Sequence, residues 1–164
     1  MTGALRPAVL ETLPGVERPP VRHGGIWHVR VRQDAIPDAI AALLQTPAAT
    51  LMLMAGEDRL AQGQMGVHYL VAIGAALAHV ETILPREGAA IPTLAAHSFP
   101  ASRFEREMRD LLGIVPIGHP DPRPLVRHGF WPESYFPLRE DASAPEFADD
   151  GRAFPFTEVQ GEGV

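Results

Sequence analysis

The chain has 164 residues, 46% of them apolar and 21% charged, which suits one domain with a sizeable core and excludes a disordered or fibrous protein. It has no cysteine, which excludes disulfides, thiolate zinc sites, cysteine-ligated iron–sulfur clusters and a cysteine nucleophile. The net charge of −6 sits in the tail: residues 1–139 balance 13 arginines against 13 acids and residues 140–164 carry seven acids and one arginine, so with no lysine and no basic stripe nothing points to nucleic acid.

Residues 1–22 hold four prolines and little pattern, and are read as a flexible or draped N-terminal arm. "GGIWHVRV" (24–31) alternates as a strand does, with Trp27, Val29 and Val31 on one face and His28 and Arg30 on the other. "DAIPDAIAALLQT" (34–46) predicts a helix, because Ile36, Ile40, Leu43 and Leu44 form one apolar stripe. "TLMLMAG" (50–56) reads as a short buried strand, and the glycines and polar residues of "GEDRLAQGQMG" (56–66) read as a loop. Two strands follow, from about 66 to 85, with Gly74 as the hairpin turn; by propensity alone the second run also fits a helix. Residues 86–101 form a connection. The expected fold is α+β: a two-layer sandwich with a mixed or antiparallel sheet and helices on one face, followed by a long extended C-terminal segment.

The most informative stretch is "SRFEREMRDLLGIVPIGHPDPRP" (102–124). Phe104, Met108, Leu111 and Leu112 make a buried helical stripe. Glu105 with Arg109, and Arg106 with Asp110, stand at i,i+4 as ion pairs on an exposed face. Ser102 with Glu105 fits a capping box, although Ser98 or Pro100 equally starts the helix, and Gly113 sits where a C′ glycine closes it. The four prolines from 116 to 124 then stiffen a loop of fixed course, the kind that presents side chains to something else.

Chemistry at this loop has little support. His119 beside Asp121 offers a base and its orienter, but no serine or cysteine nucleophile stands near in a recognisable setting. The seven histidines show no H-x-x-x-H or H-E-x-x-H spacing, and His68 and His79 read as packed or surface strand residues rather than ligands. A free-standing soluble enzyme using His119 and Asp121 as an acid–base pair is kept as the alternative.

"FEREMRDLLGIVPIGHPDPRPL" followed by "WPESYFPLRED" resembles the signature of the thirty-kilodalton subunit of respiratory complex I, the NADH dehydrogenase of respiratory chains. Glu105, Arg106, Glu107, Asp110, Gly113, Gly118, His119, Pro120, Asp121 and Arg123 match in register, as do Trp131, Pro137, Leu138, Arg139 and Asp141. Pro122, Pro124, Glu140 and Leu112 depart from the pattern. "WPESYFPLRED" is more similar to the related N-terminal domain of the large subunit of formate-hydrogenlyase-type nickel–iron hydrogenases. The resemblance implies a domain at 23–141, with 142–164 an acidic tail or linker toward a large-subunit domain. It also implies a docking role without catalytic residues or a cofactor in this chain. Partner subunits would carry the iron–sulfur clusters and the nickel–iron, quinone or NADH sites. The partners implied are the large subunit, in cis or in trans, and the neighbouring iron–sulfur subunit, with no nucleic acid. The place implied is cytoplasmic and peripheral to the cell membrane through the complex. No apolar run reaches transmembrane length, and no leader pattern opens the chain.

Overall fold

The computed structural model describes residues 7–129 and 131–143. Among the described residues seven strands and three α-helices follow in the order α1 (Pro7–Glu11), β1 (Val21–His23), β2 (Ile26–Arg30), α2 (Ile36–Leu44), β3 (Ala49–Arg59), β4 (Gln64–Ile73), β5 (Ala76–Pro85), β6 (Ala90–Pro92), α3 (Phe99–Leu112) and β7 (Val115–Ile117). Five strands form one sheet in the order β1-β2-β5-β4-β3, and β6 and β7 make a small parallel pair. The large sheet is mixed: β2 runs parallel to β5, and the other neighbours are antiparallel.

Alternation decides which face is buried. Val29, Val80, Tyr69 and Met54 lie side by side across β2, β5, β4 and β3, and all are buried. Helix α2 adds Ile36, Ile40 and Leu43 to this core, as its apolar stripe requires, and α3 adds Ala101, Met108 and Leu112. The other face of the sheet carries His28, Arg30, His79, Glu81, His68 and Glu57, none of them buried. The α+β sandwich with a mixed sheet is thus the observed fold.

The run 75–85, open between helix and strand by propensity, is strand β5. Ile73 faces Ala76, so Gly74 and Ala75 make a two-residue turn with Gly74 at φ 59° and the non-glycine at ordinary φ. That is the pattern of a II′ turn, which needs glycine first.

Two expectations are corrected. "GEDRLAQGQMG" is mostly strand: β3 continues to Arg59, a short turn covers 60–63, and β4 begins at Gln64. Its polar residues belong to the sheet because partners stand on other strands of the same face, as Glu81 of β5 does for Arg59 across β4. The arm is not free over the described residues. Leu10 and Leu13 are buried in the core, and Val16 bridges Val31.

Gly56 shows why a glycine stands inside a strand. A Cβ there would lie 2.4 Å from Leu112 Cδ1 and 2.9 Å from Ile114 Cδ1, so the absent side chain lets the end of α3 lie on the sheet. Gly56→Ala is expected to lower unfolding stability by about 1–3 kcal/mol, read as a reduced denaturant midpoint with unchanged slope.

Candidate functional site

The signature residues converge where α3 meets the chain that follows it. Helix α3 begins after Ser98, which makes no side-chain cap, and Pro100 lies in its first turn. The capping box at Ser102 does not form, because the helix starts just over a turn earlier, after Ser98, and Glu105 is needed elsewhere. Glu105 is completely buried; it accepts from the Thr93 hydroxyl and the Leu94 N–H, and His119 Nε2 stands 3.8 Å away. Burial pushes its carboxyl up from the ordinary range, against the pull of those donors.

Neither expected i,i+4 ion pair exists. Arg106 instead donates to Asp121 Oδ2 and to the carbonyls of Arg123 and Pro124. Arg109 donates to the carbonyls of Pro122 and Arg123 and contacts the adjacent Asp110. Asp110 Oδ2 accepts three consecutive backbone N–H groups, from Leu125, Val126 and Arg127 at 2.6–3.2 Å. One face of α3 therefore grips the loop by its backbone: two arginines take the carbonyls, and one aspartate takes the amides. The departures Pro122 and Pro124 are tolerated because only their carbonyl oxygens are used.

His119 is fixed by the same loop. Its Nε2 lies 3.0 Å from the Ser102 carbonyl and its Nδ1 accepts from the Asp121 N–H at 2.9 Å. These partners require a neutral ring with the proton on Nε2. With both nitrogens committed and a side chain 3% exposed, this imidazole has no lone pair to offer a substrate. Asp121, meanwhile, is held well below the usual carboxylate range by the Arg123 side chain and N–H. The acid–base reading of this pair loses its geometric basis.

The chain end is tied in the same way. Gly113, at φ 76°, closes α3: its N–H reaches the Arg109 carbonyl, the bond of an αL cap, and the Ile114 N–H reaches the Met108 carbonyl. A Cβ at Gly113 would also strike Arg139 and Phe136. Arg139 lies over the Phe136 ring and donates to the Leu112 carbonyl, a carbonyl orphaned at the helix end. Asp58 of β3 receives Arg86 through both oxygens and also the Glu140 N–H, and Arg86 reaches on to Asp141. Glu140 thus contributes its amide to this knot. Trp131 packs edge-on to His128 and Tyr135. Pro137 is half-buried, while Glu107, Pro120, Gly118 and Leu138 are exposed.

Sequence reasoning missed Asp58 and Arg86. Their signal was present only as an acid in an assumed loop and an arginine in an assumed connection. Among the described residues no group of three or more metal-ligating side chains is arranged to hold a metal, and no helix is long and apolar enough to cross a membrane.

The model of the respiratory-chain NADH dehydrogenase 30 kDa subunit matches residues 29–148. The chain belongs to this family. It is 31% identical to the C subunit of the NADH-quinone oxidoreductase of Chlorobium phaeobacteroides over 69% of this chain and 70% of the relative. It is also 30% identical to hydrogenase-4 component G and 28% identical to formate hydrogenlyase subunit 5, both of Escherichia coli, over 78% and 82% of this chain. It spans only about a quarter of the length of these two, 24% and 25%. A solved chain of the archaeal membrane-bound sulfane sulfur reductase, 22% identical, shares the fold at TM-score 0.69 over 96% of this chain and 95% of that one. The trypsin-resistant fragment of Nqo5 aligns at 25% identity and TM-score 0.51, covering 63% of this chain and 88% of the fragment. Within the matched span, Glu105, Arg106, Asp110, Gly113, His119, Asp121, Arg139 and Asp141 are the residues whose contacts hold α3, the loop and the chain end in place.

Removing the Asp110 carboxylate orphans three amides. Asp110→Ala is expected to cost about 3 kcal/mol or more in stability and to open the loop to protease. Asp58 is held low chiefly by Arg86; Asp110 is held low by the three amides, which outweigh the upward push of burial. Depressed carboxylates stabilise the fold above their unfolded value of about 3.9, and that stability is lost as pH falls through the folded values. Amide exchange at 125–127 should therefore accelerate as pH drops below about 4, beyond the intrinsic pH dependence of exchange, and Asp110→Ala should show the acceleration already at neutral pH.

Proposed function

We propose that this domain is a non-catalytic assembly and docking module of a membrane-bound multisubunit hydrogenase or complex I-like oxidoreductase, supporting electron transfer carried by partner subunits. The observation that carries the reading is that Arg106, Arg109 and Asp110 are spent largely on backbone atoms of the domain's own loop, which braces a stiff ledge that bears exposed apolar side chains. Val115, Ile117, Leu125, Val126 and Leu138 are all exposed, Ile117 and Leu138 at 59% each. Exposed branched side chains on a braced, proline-rich segment suit a protein partner, because little chain entropy remains to be lost on docking.

The large subunit, in cis or in trans, is the partner proposed, and the neighbouring iron–sulfur subunit is the second. The family and the relatives' names, which are those of hydrogenase, formate hydrogenlyase and NADH-quinone oxidoreductase components, support a partner within a multisubunit complex. Clusters and nickel–iron, quinone or NADH sites are assigned to those partners. The place proposed is the cytoplasmic side of the membrane, reached through the complex. Arg123, 80% exposed while paired with Asp121, is the charged group at the ledge available to a partner carboxylate. Arg139 is a different case, since its loss would loosen the chain end itself.

The test is co-purification with the large subunit of the cognate complex. Val126→Glu with Leu138→Glu is expected to weaken association at least tenfold with an unchanged melting temperature. Undiminished co-purification by this variant and by Arg123→Glu would remove the docking role from the ledge.

A further inference from the structure

The open face of the sheet carries a second cluster, separate from the ledge. His28 and His79 face each other across β2 and β5, and His68 on β4 lies diagonal to His79. His28 Nδ1 is 2.9 Å from His79 Nδ1, His79 Nε2 is 2.9 Å from His68 Nδ1, and His68 Nε2 is 3.0 Å from Glu57 Oε2 on β3. The centroids of His68 and His79 are 5.1 Å apart with planes only 19° from parallel. With nitrogens 2.9 Å apart, that spacing places both nitrogens nearly on the line between the rings. The contact is an in-plane hydrogen bond, not a face-to-face stack.

The direction of every bond follows from one end. Glu57 is a carboxylate, held below its ordinary range first by Arg59, so it can only accept. His68 Nε2 must then carry a proton, and in the neutral ring its Nδ1 must accept. His79 therefore donates from Nε2 and accepts at Nδ1, and His28 donates from Nδ1. Three neutral rings supply one proton to each of three contacts, all in a single tautomeric pattern. The only ring nitrogen left over is His28 Nε2.

One added proton fits without breaking anything. It can sit on His28, on His79 with His28 switched to the Nε2 tautomer, or on His68 with both other rings switched. Passing between these forms breaks one N–H and forms another within a single contact, and the count stays at one hydrogen per contact. A second added proton would force two hydrogens into one contact or protonate Glu57. The fixed charges around the rings cancel: Arg30 and Arg59 against Glu81 and Glu57, the first three joined as Arg30–Glu81–Arg59. His23 on β1 lies next to His28 at 6.4 Å between centroids.

We propose that His28, His79 and His68, oriented by Glu57, form a proton-binding site that takes up a single proton and shares it across the open face of the sheet. The path crosses four strands, about 14 Å at the usual strand spacing. This activity is independent of the docking ledge. Burial, and then the two neighbouring rings, pull His79 below its ordinary value, which favours the charge resting toward the ends of the row.

Imidazole nitrogen NMR of the full chain tests the site. At alkaline pH, His68 and His79 are expected as Nε2–H and His28 as Nδ1–H. On lowering pH from about 8 to about 5, all three rings should follow one shared first midpoint worth one proton in total, with further uptake only at more acid pH. In His79→Asn, His28 and His68 should titrate separately, each with its own midpoint. Glu57→Gln should release the tautomer preference of His68 while leaving the fold intact. Three independent curves in the native chain, or His68 holding its proton on Nδ1 at alkaline pH, would overturn the proposal. So would three protons taken up together.

Discussion

One carboxylate oxygen, Asp110 Oδ2, accepts three successive backbone amides, and the C-terminal third of the domain depends on it. The segment after β7, with prolines at 120, 122 and 124, forms no strand among the described residues, yet its remaining amides and carbonyls still require partners. Helix α3 supplies them from side chains: Asp110 for the amides, Arg106 and Arg109 for the carbonyls. The loop gains a fixed course without joining a sheet. Arginine suits this task because its fork can satisfy two carbonyls at once, as Arg106 does with Arg123 and Pro124.

The same economy runs through the domain. Buried or half-buried ionic groups are satisfied several times over: Asp58 by Arg86 and the Glu140 amide, Glu105 by Thr93 and Leu94, and Glu81 by two arginines. Such groups gain little net stability over an apolar core, but they are expensive to leave half-paired. They therefore specify one arrangement of helix, loop and chain end. A ledge braced in this way can face a partner with its shape already made.

Much of the fold was legible from period alone. The alternation at 24–31, the stripe of α2 and the hairpin at Gly74 each correspond to an observed element. Where the period failed, a tertiary partner explains the failure. Gly56, Glu57, Asp58 and Arg59 look like a loop because they are small or charged. They lie in β3 because Leu112 fills the space over Gly56 and because Arg86 and Glu81 stand where the charges point. Leu10 carries no periodic signal, yet it is part of the core. The signature residues were located by their spacing, but their roles were not. Local spacing paired Glu105 with Arg109, whereas burial turned Glu105 inward and the loop carbonyls drew Arg109 away.

The order of residues alone set the secondary-structure periods, the glycine that ends α3, the absence of thiolate chemistry, and the family signature. Each of these depends on residues near one another along the chain or on composition. What the polar side chains do was settled in three dimensions. A hydrogen bond or ion pair depends on which donor lies within about 3 Å of which acceptor. His28, His68 and His79 are 51 and 11 residues apart in the pairs that touch. Only the register of β2, β5 and β4 sets them in one row, and only that row gives three unremarkable histidines a shared proton.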